Sequence, residues 1–262
     1  MKSGMEPQPD LRAYPVWDIS TRWFHWINFI CVLGLSVLGL AILNEKSFGV
    51  SAEGKILLKT LHTYVGYAFA ANLVWRLVWA FIGSTHARWQ AVLPIGSGYI
   101  SELRQYLRGF LSGNTSGYVG HNPLSRLMVS LLLLILVSQS LTGLVLAGTD
   151  LYMPPFGSLI ADWVTDGDPD RLAQLVPGTK EHVDPTSYDD MRSFRSPIIT
   201  THLYGFYLLM FAVFLHITGV VVTEIRERNG LISALFTGEK VLSKTPVDLA
   251  PRSAQPKRRA LD

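Results

Sequence analysis

Residues Pro197 to Thr223 read PIITTHLYGFYLLMFAVFLHITGVVVT, and this run decides the fold. It contains no Asp, Glu, Lys or Arg and is long enough to cross a bilayer as a helix. Two histidines, His202 and His216, interrupt it, fourteen residues apart. At about 100° per residue that separation falls about 40° short of four turns, so both imidazoles face nearly the same way. The rise between them is about 21 Å, inside a hydrocarbon core of about 30 Å. One face of one helix therefore offers a nitrogen donor near each membrane surface.

The rest of the composition agrees with a membrane protein. Of 262 residues, 48% are hydrophobic and only 16% charged. Mean hydropathy is positive, and the apolar residues fall in long runs. A net charge of +3 is mild, and no basic patch points to a nucleic-acid partner. Cys31 is the single cysteine, so no disulfide forms within the chain. The opening residues carry no apolar core of a signal peptide, so no cleaved leader is expected.

The apolar runs predict four spans, at about residues 22–43, 60–82, 124–148 and 198–223. Asp18, Ser20 and Thr21 supply capping chemistry before the first. Asn122-Pro123 marks the start of the third, because Asn caps well and Pro suits the first helical position. Between the second and third spans, YISELRQYLRGFL gathers Tyr99, Ile100, Leu103, Tyr106, Leu107 and Phe110 on one side. That pattern predicts a helix lying in the membrane interface. Residues 149–197 form the longest connection, and residues 1–16 and 226–262 are expected as tails. The expected fold is an all-α, integral membrane four-helix bundle with an interfacial helix and one long periplasmic loop.

Basic residues orient it. Arg88, Arg104, Arg108 and Arg126 cluster around the second-to-third connection. Arg226, Arg228, Lys240, Lys244 and Lys257-Arg258-Arg259 make the C-terminal tail basic. The 149–197 connection holds nine acidic residues against Arg171, Lys180, Arg192 and Arg195. Retention of positive charge on the cytoplasmic side puts both termini inside and the long connection outside.

With that orientation each histidine acquires a depth. His62 and His202 fall near the outer surface, and His25 and His216 near the inner one. Each pair supplies two imidazoles from two helices at one level, which is what a six-coordinate b-type haem in a bundle needs. No C-x-x-C-H motif exists, so two such haems would be held non-covalently. Gly66, Gly205 and Gly219 follow His62, His202 and His216 by one turn, where a flat ring against the helix needs a missing side chain. Membrane histidines also bond across helices with no cofactor, and glycines also serve helix packing. Four histidines matched in depth favour the haem reading, because ionisable groups inside a membrane are costly and mostly functional. Arg22, three residues before His25, and Arg76, inside the second span, are candidate partners for haem carboxylates; ordinary retention of cations on the inner side explains them equally well. His121 sits at a helix start, where capping or solvation suffices, with a quinone or proton site as the alternative. His86 and His182 fall in loops.

These pieces resemble the cytochrome b subunit of membrane-bound nickel–iron hydrogenases, within the bacterial cytochrome b561 group. The matching elements are Arg22-Trp23-Phe24-His25-Trp26, Leu61-His62, Gly120-His121-Asn122-Pro123 and the His202/His216 pair. The resemblance implies two b haems ligated by His25, His62, His202 and His216, carrying electrons between a periplasmic redox partner, such as a hydrogenase small subunit, and membrane quinone. The 149–197 connection is longer than that subunit leads one to expect, which leaves room for a periplasmic multihaem c-type cytochrome as partner. A self-sufficient b561-type quinol oxidoreductase and a haem-free four-span transporter or scaffold are the remaining alternatives. No flavin, nucleotide or metal-cluster motif appears, so the chain is expected to be an electron-transfer subunit, with substrate chemistry elsewhere.

Overall fold

The computed structural model describes residues 11–114, 116–243 and 245–249. In chain order they form strand β1 (Arg12–Pro15) and helices α1 (Ile19–Leu43), α2 (Ala52–Ile82), α3 (Trp89–Val92), α4 (Tyr99–Leu111) and α5 (Pro123–Leu151). Helices α6 (Gly157–Val164), α7 (Pro169–Ala173), α8 (Pro185–Glu227) and α9 (Leu231–Thr237) follow, then strand β2 (Glu239–Leu242). Four of them, α1, α2, α5 and α8, are long and apolar enough to cross a membrane. Among the described residues the architecture is all-α apart from one short strand pair.

Helix ends are set by capping rather than by where apolar residues begin. Asp18 Oδ1 accepts the Thr21 N–H at 2.7 Å ahead of α1. Asn122 Oδ1 accepts the Ser125 N–H at 2.8 Å, with Pro123 as the first residue of α5. Helix α2 starts at Ala52, well before the apolar run, where Ser51 Oγ accepts the Gly54 N–H at 3.1 Å. The 43-residue α8 starts at Pro185, where Asp184 Oδ1 accepts the N–H groups of Thr186 and Ser187 at 3.0 Å each. It then runs through Pro197, where the sequence placed the edge of the span. The connection expected at 149–197 is thus largely helical, containing α6, α7 and the first turns of α8.

The chain divides into two compact units. One comprises Trp23–Val78 and Leu131–Phe214. It holds parts of all four long helices, with Phe69, Leu73, Leu209 and Ala212 buried among them. Helix α6 packs on the start of α8 through Ile160, Val164 and Met191, flanked by Tyr152, Leu175, Val183 and Tyr188. The outward side chains are equally apolar: Ile30 is 65% exposed, Leu134 67% and Leu141 61%. Such faces are stable against lipid and not against water.

The other unit comprises the described residues of Met1–Arg22, Trp79–Ser130 and Leu215–Asp262. Strands β1 and β2 pair antiparallel, Arg12 opposite Leu242 and Pro15 opposite Glu239. Val16, Val119, Ala234 and Leu242 form a core beneath them, joined by Tyr14, Trp17 and Leu249. Residues 11–16 and 226–243, expected as tails, therefore hold regular structure. Burial of this apolar set supplies the driving force that their polar composition concealed. Lys244 and the Lys257-Arg258-Arg259 run lie outside the described residues. In α4, Tyr99 and Tyr106 are buried, whereas Ile100 and Leu107, assigned to the same side from the sequence, are exposed. Asp18 accepts hydrogen bonds from Ser84 Oγ and Trp79 Nε1. Burial alone would raise its carboxyl, but the bonds from Ser84, Thr21 and Trp79 outweigh that and hold it below the ordinary range.

Candidate functional site

Within the first unit, α1, α2, α5 and α8 enclose a cavity of about 390 Å³. His62 from α2 and His202 from α8 both line it. Their ring centroids lie 6.4 Å apart with planes at 76°. Two imidazoles from two helices are what a non-covalent haem needs, and His62 and His202 would be the residues to hold it.

Thr142 Oγ1 lies 2.8 Å from Ser138 O, 3.2 Å from Gln139 O and 2.9 Å from His202 Nδ1. With the hydroxyl hydrogen on the main chain, Thr142 would accept from Nδ1–H, and Nε2 would keep a lone pair for a ligand bond. The Gln139 amide donates to His202 O at 3.1 Å and fixes the helix at this level. The Nδ1 of His62 is buried without a hydrogen-bond partner, and its ring lies against the Leu35 main chain.

Glycines shape the walls, though not all the expected ones. A Cβ on Gly39 of α1 would sit 3.5 Å from His62 Cε1, and one on Gly143 of α5 would sit 3.4 Å from His202 Cε1. Anything larger than a methyl there would press on the imidazoles. Gly66 lines the cavity and faces open space, as the sequence reading expects. Gly205 serves another purpose, since a Cβ there would lie 2.1 Å from Gln139 Nε2. Gly219 faces open space in the other unit.

Charged residues ring one part of the cavity. Asp150 accepts from Lys59 Nζ at 2.5 Å and from Arg195 through Nε at 2.5 Å and Nη2 at 3.0 Å. Lys55 pairs with Glu45 at 2.5 Å. All five line the cavity. Sequence reasoning did not single out Lys59, Asp150 or Arg195 as a group, nor Thr142 or Gln139 as neighbours of His202.

The remaining candidates sit elsewhere. His25 is half-buried in α1, its ring edge-on to Trp26 at 5.8 Å. His216 is half-buried in α8 and belongs to the second unit. Arg22 donates to the Phe236 carbonyl and so ties α9 to α1. Arg76 is buried, with its guanidinium 5.9 Å from the Phe24 ring centroid. Neither arginine lines the large cavity.

The second unit encloses a smaller cavity of about 40 Å³, lined by His121, Asn122, Glu227 and Lys240 among others. The His121 ring lies 4.8 Å from that of Trp17. Lys240 Nζ donates to Tyr118 O at 3.4 Å and Gly120 O at 2.9 Å. Burial pushes its ammonium down to about 8, against the opposing pull of Asp248, Glu227 and Glu224.

Comparison with known proteins fits this arrangement. The family model described as prokaryotic cytochrome b561 matches residues 16–238. A probable Ni/Fe-hydrogenase B-type cytochrome subunit of Rhizobium leguminosarum bv. viciae is 28% identical over 241 residues, covering 86% of this chain and 88% of that one. A protein of the same name from Cupriavidus necator is 25% identical over 236 residues, covering 87% of each. The probable Ni/Fe-hydrogenase 1 B-type cytochrome subunit of Escherichia coli K12 is 29% identical over 144 residues, covering 51% of this chain and 60% of that one. No solved structure matches.

Proposed function

The chain belongs to the prokaryotic cytochrome b561 family, a multi-pass membrane b-type cytochrome for electron transfer, and on that premise we propose a specific role for it. It carries electrons between a redox partner on the periplasmic side and the membrane quinone pool, using two non-covalent b haems. His62 and His202 hold the outer haem. His25 and His216 hold the inner one, an assignment that rests on their depths in the sequence. Both termini face the cytoplasm of a bacterial inner membrane. The partner is a hydrogenase-like subunit, in keeping with the names of the relatives.

One observation carries the reading. Two imidazoles from two helices stand 6.4 Å apart in a largely apolar cavity. Among the described residues no group of three or more His, Cys, Asp or Glu could hold a metal. An ion kept here must bring its other donors with it, as an iron porphyrin does. Haem supplies reversible one-electron chemistry at iron. The protein's own contribution is to hold and tune it. Thr142 keeps the His202 ring in the tautomer with Nε2 unprotonated, Gly39 and Gly143 make room beside the imidazoles, and the apolar walls keep water out.

The test is quinol-driven reduction of the purified chain in lipid vesicles, followed at the haem α band. The reading expects a Soret band and reduction by quinol. Absence of the Soret band, or a band that quinol leaves oxidised, overturns it. Rapid turnover of quinol with a soluble oxidant by this chain alone would replace the subunit role with that of a self-sufficient oxidoreductase.

A further inference from the structure

Asp150 at the end of α5 holds two cations from two other helices. Lys59 stands one turn before His62 on α2, and Arg195 two turns before His202 on α8. Three and seven residues bring each cation back to nearly the same helix face as its histidine. One carboxylate needs one cation, and here two converge on it. The side chains are largely sequestered, with Lys59 at 25%, Asp150 at 15% and Arg195 at 14% exposure. The neighbouring Lys55–Glu45 pair is self-neutral, so this rim carries an excess of one positive charge beside an apolar chamber. An unbalanced cation in that setting calls for an anion. Asp150 uses two of the five guanidinium N–H groups and one of three ammonium hydrogens, so donors remain for a further carboxylate. The chamber thus suits a ligand with a flat apolar body and an anionic edge.

We infer that Lys59 and Arg195, positioned by Asp150, bind the propionates of the haem held by His62 and His202. This rests on the haem reading above and adds to it which cations tune that haem. A cation beside the propionates favours the reduced form, in which the iron carries one less positive charge. The competing view is that the triad only pins α2, α5 and α8 together.

The two views separate by potentiometry on the purified full-length holoprotein. Arg195→Gln and Lys59→Gln should each leave one haem unchanged. At a fixed ambient potential each should lower the reduced-to-oxidised ratio of the other about tenfold, or 59 mV for a one-electron couple. Asp150→Asn should shift that same haem in the opposite sense, and Arg195→Lys should restore most of the native value. A second measurement covers variants that bind haem poorly. Apoprotein is titrated with haem b and with its dimethyl ester, in which both carboxylates are capped. Arg195→Gln should weaken haem b binding about tenfold and leave ester binding unchanged. Equal weakening of both ligands, or unchanged potentials with lowered thermal stability alone, overturns the inference in favour of a structural pin. Failure of the parent reading looks different, since His62→Ala would then retain both haems.

Discussion

Thr142 is the residue whose chemistry is most sharply defined. With its hydroxyl hydrogen on the main chain, it accepts from His202 Nδ1. Thr142→Val removes that acceptor at nearly constant volume. Loss of such an outer partner costs about 10–100-fold in metal affinity. Haem titration of the apoprotein should show that drop for Thr142→Val and little change for Thr142→Ser. Equal affinity for the Val variant would mean that Thr142 does not set the tautomer. Residues of this kind are hard to read from a sequence. The histidines are conspicuous because ionisable groups are rare in apolar runs. A threonine in a membrane helix has many innocent uses, and a glycine such as Gly39 or Gly143 contributes only the side chain it lacks. Gly205 shows the converse. It stands one turn from His202, yet its space is taken by the Gln139 amide.

At the scale of elements, the apolar runs located all four long helices and the end of α2 at Ile82, and the Asn122-Pro123 cap marked the start of α5. The upstream extents of α2 and α8 did not follow from those runs, because hydropathy marks lipid contact while capping marks helix ends. The β1–β2 pair was illegible for a different reason. Each strand has four residues, and Lys240 breaks the apolar alternation by turning its side chain inward. That burial has a measurable consequence. The folded-state value for Lys240 is about 8 against an ordinary 10.5. Between those values the unfolded chain binds more protons, so stability rises with pH across this window, by at most about 3 kcal/mol. The folded unit keeps its contacts there, since a neutral amine still donates to the Tyr118 and Gly120 carbonyls. Thermal unfolding in detergent at pH 8, 9 and 10 should show the native protein gaining on Lys240→Met as pH rises. Parallel curves for the two would contradict the buried-ammonium account.

At the scale of the whole molecule, composition and the spacing of four histidines pointed to a haem-binding membrane bundle, and the resemblance of the motifs around them pointed to a cytochrome b, the family that the chain belongs to. Shared depth matched His62 with His202, and the cavity brings these two together. The charged rim was out of reach of the same reasoning. Lys59, Asp150 and Arg195 are far apart in sequence and lie on three helices, and no periodicity links them. Arg22, which binds the Phe236 carbonyl, and Arg76, which packs over Phe24, stay proposed partners for haem carboxylates. The proposed division of labour, with one haem per histidine pair, is tested most directly by counting haem. The protein carrying His202→Ala, purified from membranes and assayed as the pyridine haemochrome, should contain one haem per chain where the native protein contains two, with the survivor still low-spin. Two haems per chain in that variant would contradict the account.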